Sequence, residues 1–371
     1  MLDTVILEPQ IDISCITDFS KFGTTKEALL SYYSSGFNQW VNNPTKEDWK
    51  AGIYKPRLTL NKRAGKFFLR IEFSASNLLF KNSLEEVEEK DFEAEIEILQ
   101  KRLEEMGVEM FKIFLEKAPV SGFDPAKNIP LSGGYTAILS LRELSKIDIS
   151  KKFDIGKIKF SNGGESLQIY TNSHSFVFYD KINDLNKPQK RAMSKNQTLQ
   201  QFSLFEQIRK EQINLEVLRM EVRLRKKRKM NEVLEKLGYP QNPTFKDIFK
   251  KELCQKILNH YWDYFFNDNL FLFDVRNNPQ TILNLILKRN PKIGIKKAIY
   301  QTGFLTLCKD DEGMRGFRNI AQLYKPKTNW TNLKKWLTNY QTELNAIPLH
   351  GFIKDIEESL DNFEAFRLNM K

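Results

Sequence analysis

Cysteine and histidine are scarce in this 371-residue chain, with three of each. Cys15, Cys254 and Cys308 lie far apart and form no C-x-x-C pair. That argues against a disulfide framework and against a zinc cluster, and it fits a reducing compartment. No apolar run approaches the ~18–20 residues that cross a bilayer. The opening MLDTVILEPQ lacks the basic-then-apolar pattern of a secretory signal. No repeat of fixed period is visible, which sets aside solenoids and propellers. These absences lead to the expectation of a soluble, intracellular protein of the cytoplasm, with no membrane partner.

What the chain does have is apolar and basic. Hydrophobic residues make up 41% and aromatics 12%, including 28 Phe, enough to bury a core rather than remain disordered. The net charge of +11 favours an anionic partner: nucleic acid, a membrane surface or an acidic protein. The length suits two or three domains of ordinary size, or one large one.

The pattern along the chain predicts an α+β part followed by a helical part. DTVILEPQIDI reads as a strand, and YKPRLTL and KFFLRIEFS as a hairpin turned by NKRAGK. SLEEVEEKDFEAEIEILQKRLEEMGVEM has helical spacing, with a start signal at Ser83 and Glu86 and a stop at Gly107. Its acidic run reads as a solvated helix face. PVSGFDPAKNIPLSGGY reads as a Pro/Gly-rich loop, and SKIDIS, FDIGKIKFS, SLQIYTN and SFVFYDK as short strands. A polar stretch, including Arg191 and Lys195, then precedes one more strand, LEVLRMEVRLRKK. From about residue 231 the pattern is helical, with the boundary near 235–245. The expected units are an antiparallel sheet with helices on one face over 1–240, and a mainly helical domain over 241–371.

Strand alternation sorts the polar residues. Glu72 opposes Leu69, Ile71 and Phe73; Asp148 opposes Ile147 and Ile149. Arg219, Glu221, Arg223 and Arg225 oppose Leu218, Met220, Val222 and Leu224. His174, Phe176, Phe178 and Asp180 share one side of their strand, Val177 and Tyr179 the other. One open sheet face would then gather carboxylates and arginines. Clustered carboxylates suit a hard cation such as Mg²⁺ or Mn²⁺, and arginines suit a phosphate. A tyrosine beside them is placed to attack a phosphodiester, given cationic help for a phenol of ordinary pKa ~10. A sheet with one wet face shows the same alternation with no chemistry at all.

In order, LRIEFSASNLLFKNSLEEV, LSKIDI, FVFYDKINDL and LEVLRMEVRL resemble the replication initiators of filamentous phages and related plasmids, which are rolling-circle nicking proteins. The resemblance covers most of 60–240 and extends loosely to GMRGFRNIAQLY and NWTNLKKWLTNY. It implies an origin-specific single-strand endonuclease and strand transferase that links a tyrosine to the 5′-phosphate of double-stranded origin DNA. The freed 3′-OH primes synthesis, and a second transesterification closes the displaced single strand. Host helicase and polymerase would be partners, and a homodimer would supply a second tyrosine. By this resemblance Tyr179 is the nucleophile and Lys181 contacts the scissile phosphate or the leaving group. Glu221 and Asp148, with Glu72 and Asp180, are the metal-ligand candidates. The wider class binds metal with a His–hydrophobe–His pair, which this chain lacks: His174, His260 and His350 are far apart. His174 is one further ligand candidate, and Tyr170 a candidate closing tyrosine. DNA contacts are expected from Arg219, Arg223 and Arg225 and from the basic run Lys226, Lys227, Arg228 and Lys229. The competing reading is a sequence-specific DNA-binding replication regulator without catalysis; an RNA-binding module ranks below both, because the aromatic strand pattern of such modules is missing.

Overall fold

A computed structural model of the chain describes residues 1–31, 39–147, 158–161, 164–185, 215–276, 278–325 and 348–368. Among the described residues ten strands form one antiparallel sheet: β1 (Leu2–Leu7), β2 (Gln10–Ile11), β3 (Gln39–Asn42), β4 (Arg57–Arg63), β5 (Lys66–Ser74), β6 (Val120–Pro130), β7 (Ile158–Ser161), β8 (Ser166–Tyr170), β9 (Ser175–Asp180) and β10 (Val217–Arg223). Their order is β3-β4-β5-β1-β6-β10-β9-β8-β7, with β2 added on β5. The first half of the chain carries α1 (Lys26–Leu30), α2 (Lys46–Lys50), α3 (Ala75–Phe80), α4 (Phe92–Glu105), α5 (Lys112–Glu116), α6 (Ala137–Leu144) and α7 (Lys181–Leu185). After the last strand come α8 (Lys227–Lys236), α9 (Phe245–Ile248), α10 (Lys251–Phe266), α11 (Pro279–Arg289), α12 (Ile295–Lys309), α13 (Gly313–Tyr324) and α14 (Gly351–Asn362). The class is α+β with a helical C-terminal region, as the sequence pattern suggests.

The β4–β5 hairpin forms where expected, and its turn is tight. Arg63 pairs with Lys66, leaving Ala64 and Gly65 at the corner with φ of 48° and 74°. Two consecutive positive φ values match the twist of antiparallel strands, and glycine takes one of them without strain.

Helices cover one face of the sheet. Phe73 of β5 meets Phe245 of α9 edge-on at 5.7 Å, and Phe92 of α4 lies 5.3 Å from Phe245. At the other end Phe176 of β9 stacks on Phe265 at 5.6 Å, and Phe178 meets Phe266 at 5.7 Å, both on α10. One continuous apolar cluster therefore runs from Met1 to Phe363 and includes residues from both halves of the chain.

Three local expectations change. The helix predicted from Ser83 begins at Phe92, because Glu86 faces inward as a buried ion pair with Lys127 (2.7 Å) instead of capping a first turn. The acidic face of α4 is not wholly solvated either, since Glu95 is fully buried. The segment 119–135 is not a loop: Val120–Pro130 is the central strand β6, flanked by β1 and β10. Its Gly and Pro, which read as breakers, have specific places. A Cβ on Gly122 would sit 2.9 Å from the Arg225 Cα and from the Leu224 carbonyl oxygen, so the chain leaving β10 needs glycine there. Pro125, which has no N–H, pairs with Leu2 beside a register shift in the β1–β6 ladder. In SKIDIS, Ser145 and Lys146 form the turn after α6; Asp148 and the two residues after it lie outside the described residues.

Candidate active site

Cross-strand partners share a face, so the ladders assemble the site directly. Tyr179 on β9 lies opposite Arg219 on β10, which lies opposite Asn128 on β6. One step along, Val177 is opposite Glu221 and Glu221 opposite Ala126. Alternation places Asp124 on the face of Ala126 and Asn128, away from the helices. Asp3 enters from β1, where the register shifts between Leu2 and Val5.

The result is a compact polar network in the middle of the sheet. One carboxylate oxygen from each of Asp3, Asp124 and Glu221 lies within 4.8 Å of the others. Each acid also holds its own guanidinium: Arg219 Nη2 to Asp3, Arg223 Nε to Glu221 and Arg225 Nη2 to Asp124, all at 2.6 Å. The Tyr179 hydroxyl donates to Glu221 Oε2 at 3.3 Å. Lys181 Nζ lies 5.7 Å from the centre of the Tyr179 ring and donates to Ser83 Oγ at 2.9 Å. Arg219 Nη1 donates to Asn128 Oδ1 at 3.0 Å and to the Ser83 carbonyl at 3.4 Å.

Burial and charge set the protonation states. Burial pushes the Asp124 carboxyl up to about 7, with Arg225 opposing and Glu221 reinforcing the shift. Burial also acts to raise Asp3, but Arg219, Lys181 and nearby arginines prevail and hold it below the usual carboxylate range. The Tyr179 phenol is driven well above its ordinary value by burial, a shift that Arg219 eases and Glu221 adds to. Burial brings the Lys181 ammonium down to about 8, assisted by the Arg219 charge. The two shifts run in opposite directions, so the Lys181 ammonium becomes the readier proton donor while the phenol holds its proton until a base and cationic help are at hand.

The sequence-predicted residues divide. Tyr179, Lys181, Glu221, Arg219, Arg223 and Arg225 come together. Glu72 shares the face but sits on β5, three strands from β10, where Arg70 holds it at 2.9 Å. Asp180 faces the helices and accepts from the Asn183 backbone and side-chain amides (2.9 and 2.8 Å), closing the first turn of α7. Asp148, Arg191 and Lys195 lie outside the described residues. Arg219 was expected to reach DNA, yet it is 1% exposed and its two terminal nitrogens are taken by Asp3, Asn128 and Ser83. Lys226, Lys227 and Arg228 are exposed at the start of α8, with Arg228 and Lys229 both at 3.2 Å from Glu232. His174 is on the helix-covered face, bonded to Thr171 and Ser173 and 5.7 Å from Tyr261; burial pulls it down to about 4. Tyr170 shares the face of Tyr179 but pairs with Ser175, about 13 Å farther along the ladder.

Asp3 and Asp124 escaped the sequence reading. Asp3 carried a signal, a lone acid in an apolar strand, whereas Asp124 was hidden inside an apparent loop. Comparison with family models, curated proteins and solved structures gives no match for this chain. Its site therefore has to be argued from its own residues.

Proposed function

We propose that the chain is a DNA nicking–closing enzyme that starts rolling-circle replication, with Tyr179 as the nucleophile. One observation carries this reading: the Tyr179 hydroxyl points its proton at Glu221 within a group of three carboxylates and three arginines. The 3.3 Å separation is long for an O–H···O bond, as catalytic contacts often are before substrate binds. In the first step Glu221 takes the phenolic proton and Tyr179 Oη attacks the scissile phosphorus. The bond from phosphorus to the 3′-oxygen breaks, leaving a 5′-phosphotyrosine. The departing oxygen gains a proton, for which the Lys181 ammonium, with a pKa of about 8, is a suitable source. Closure runs the same exchange in reverse, with a 3′-OH as nucleophile.

The donor set fits Mg²⁺ or Mn²⁺, since Asp3, Asp124 and Glu221 offer only carboxylate oxygens. Such an ion would polarise the scissile phosphate and stabilise charge on its oxygens. Three guanidiniums already balance three carboxylates, so a cation enters only after an arginine turns away. The side chains of Arg223 and Arg225 are 32% and 46% exposed and are free to turn to a DNA phosphate; that of Arg219, at 1%, is not. Exposed Lys226, Lys227 and Arg228, with Lys229, extend the basic surface toward duplex origin DNA and the displaced strand. Host helicase and polymerase, and a second copy to supply a closing tyrosine, remain the partners this reading calls for.

The one-to-one pairing of acids and arginines also favours a second reading, a DNA-binding regulator that keeps the charge network for structure alone. The deciding experiment incubates the protein with Mg²⁺ or Mn²⁺ and supercoiled DNA carrying the intergenic region next to its own gene. Nicked circles and a denaturation-resistant protein–DNA adduct are expected, with the adduct abolished in Tyr179→Phe. DNA that is bound but never cut under either metal supports the regulator; an adduct that survives in Tyr179→Phe moves the nucleophile, with Tyr170 next.

A further inference from the structure

The residue that ties this site to the far end of the chain is Ser83. Its side-chain oxygen accepts from Lys181 Nζ at 2.9 Å, and its carbonyl accepts from Arg219 Nη1 at 3.4 Å. Ser83 thus touches the two buried cations that flank Tyr179, yet it belongs to neither β9 nor β10. It sits on the segment between α3 and α4, which the sequence pattern assigns to a helix and the structure does not.

That segment is held from two sides. From the sheet, Asn128 donates its backbone N–H to Glu86 and its side-chain amide to the Leu84 carbonyl. From the C-terminus, residues 363–368 run alongside as a strap. The Glu86 N–H donates to the Phe366 carbonyl at 3.1 Å, and the Phe366 N–H returns to Glu86 Oε2 at 2.9 Å. Arg367 bonds the Glu86 carbonyl and reaches Glu88 at 2.9 Å and Asp91 at 3.2 Å. Its guanidinium also lies 4.5 Å from the centre of the Phe80 ring. Leu84, adjacent to Ser83, is buried with Leu185 and Val217 and is packed by Phe366 and Leu368.

We propose that Ser83 is a positioning residue for the strand-transfer reaction, holding Lys181 against Tyr179, and that the C-terminal strap holds Ser83 in place. This rests on the transesterase reading and names a part of it that sequence reasoning did not reach. A lysine with four rotatable bonds needs such an anchor to keep its ammonium at one point beside a ring. Without it the charge wanders by an ångström or more, a displacement that costs up to about a hundredfold in rate.

The test compares wild type, Ser83→Ala, Ser83→Thr and Arg367→Ala for three quantities: the single-turnover rate of adduct formation at saturating intergenic DNA, the Kd for that DNA, and the melting temperature. Ser83→Ala is expected to slow adduct formation roughly ten- to hundredfold with Kd within twofold of wild type. Ser83→Thr, which keeps the hydroxyl, should recover most of the rate. Arg367→Ala, remote from Tyr179, should slow the reaction in the same direction at unchanged Kd. An active wild type with Ser83→Ala at the same rate overturns the inference and leaves the transesterase reading intact. So does a Ser83→Ala rate that falls only in step with Kd and melting temperature, or a Ser83→Thr no better than alanine. A wild type that never forms the adduct overturns both.

Discussion

Three carboxylates within 4.8 Å of one another endure in the middle of a sheet because each has a guanidinium at 2.6 Å. A buried charge without such a partner is costly, and removing one member of a buried pair leaves the other stranded. Glu95 on α4 shows the contrast. It is fully buried, neither side-chain oxygen has a hydrogen-bond partner, and burial raises its pKa well above the ordinary value, with Asp91 adding to the shift. The folded chain therefore carries a proton there that the unfolded chain sheds as pH rises past about 4.3. The fold binds more protons than the unfolded state, so this group subtracts stability increasingly above that pH. Glu95→Gln should accordingly raise unfolding stability at pH 7 by roughly 1–3 kcal/mol, with the gain shrinking toward zero near pH 4. Urea titrations of both proteins at the two pH values measure it; an equal gain at both would show that the charge is not the cause.

At the scale of elements, β6 does the assembling. It lies between β1 and β10 and carries Asp124 and Asn128, so the three carboxylates, with Arg219 and Arg223, are on it or one strand away, while Arg225 follows β10, Tyr179 and Lys181 come from β9 and the start of α7, and Ser83 from the segment between α3 and α4. Its sequence, VSGFDPAKNIP, misleads because glycine and proline are usually excluded from central strands. Here they answer to neighbours distant in sequence: Gly122 to the backbone of Leu224 and Arg225, Pro125 to the slipped register of β1. Gly122→Ala should therefore destabilise by about 1–3 kcal/mol through overpacking, in spite of alanine's better fit to a strand backbone. Thermal melts would register this as a lower midpoint; an unchanged midpoint would mean that the chain after β10 yields easily. By contrast β5, β8 and β10 were legible because apolar and polar residues alternate along most of their length, and β9 because it is a short run of strand-forming apolar residues. The faces read from that alternation hold, which is why Tyr179, Arg219 and Glu221 were correctly grouped.

For the molecule as a whole, the sheet and the later helices share one core. Phe266 of α10 is fully buried, stacks on Trp262 at 4.3 Å and meets Phe178 of β9 at 5.7 Å. Phe266→Ala should cost about 3–5 kcal/mol. Because the cluster is continuous, far-ultraviolet circular dichroism and tryptophan fluorescence should lose signal in one transition shifted to lower temperature. Two separated transitions would instead mean that the halves unfold independently. Among the described residues no helix is long and apolar enough to cross a membrane. The sequence by itself determined the α+β class, the strand faces, the helical second half and the basic run after β10, because these follow from periodicity and composition within short windows. Only the tertiary structure decided that Asp3 and Asp124 join Glu221, that Glu72 and Asp180 stand apart, and that Ser83 reaches Lys181. Those contacts link residues tens to hundreds of positions apart through strand order and register, which no local pattern encodes.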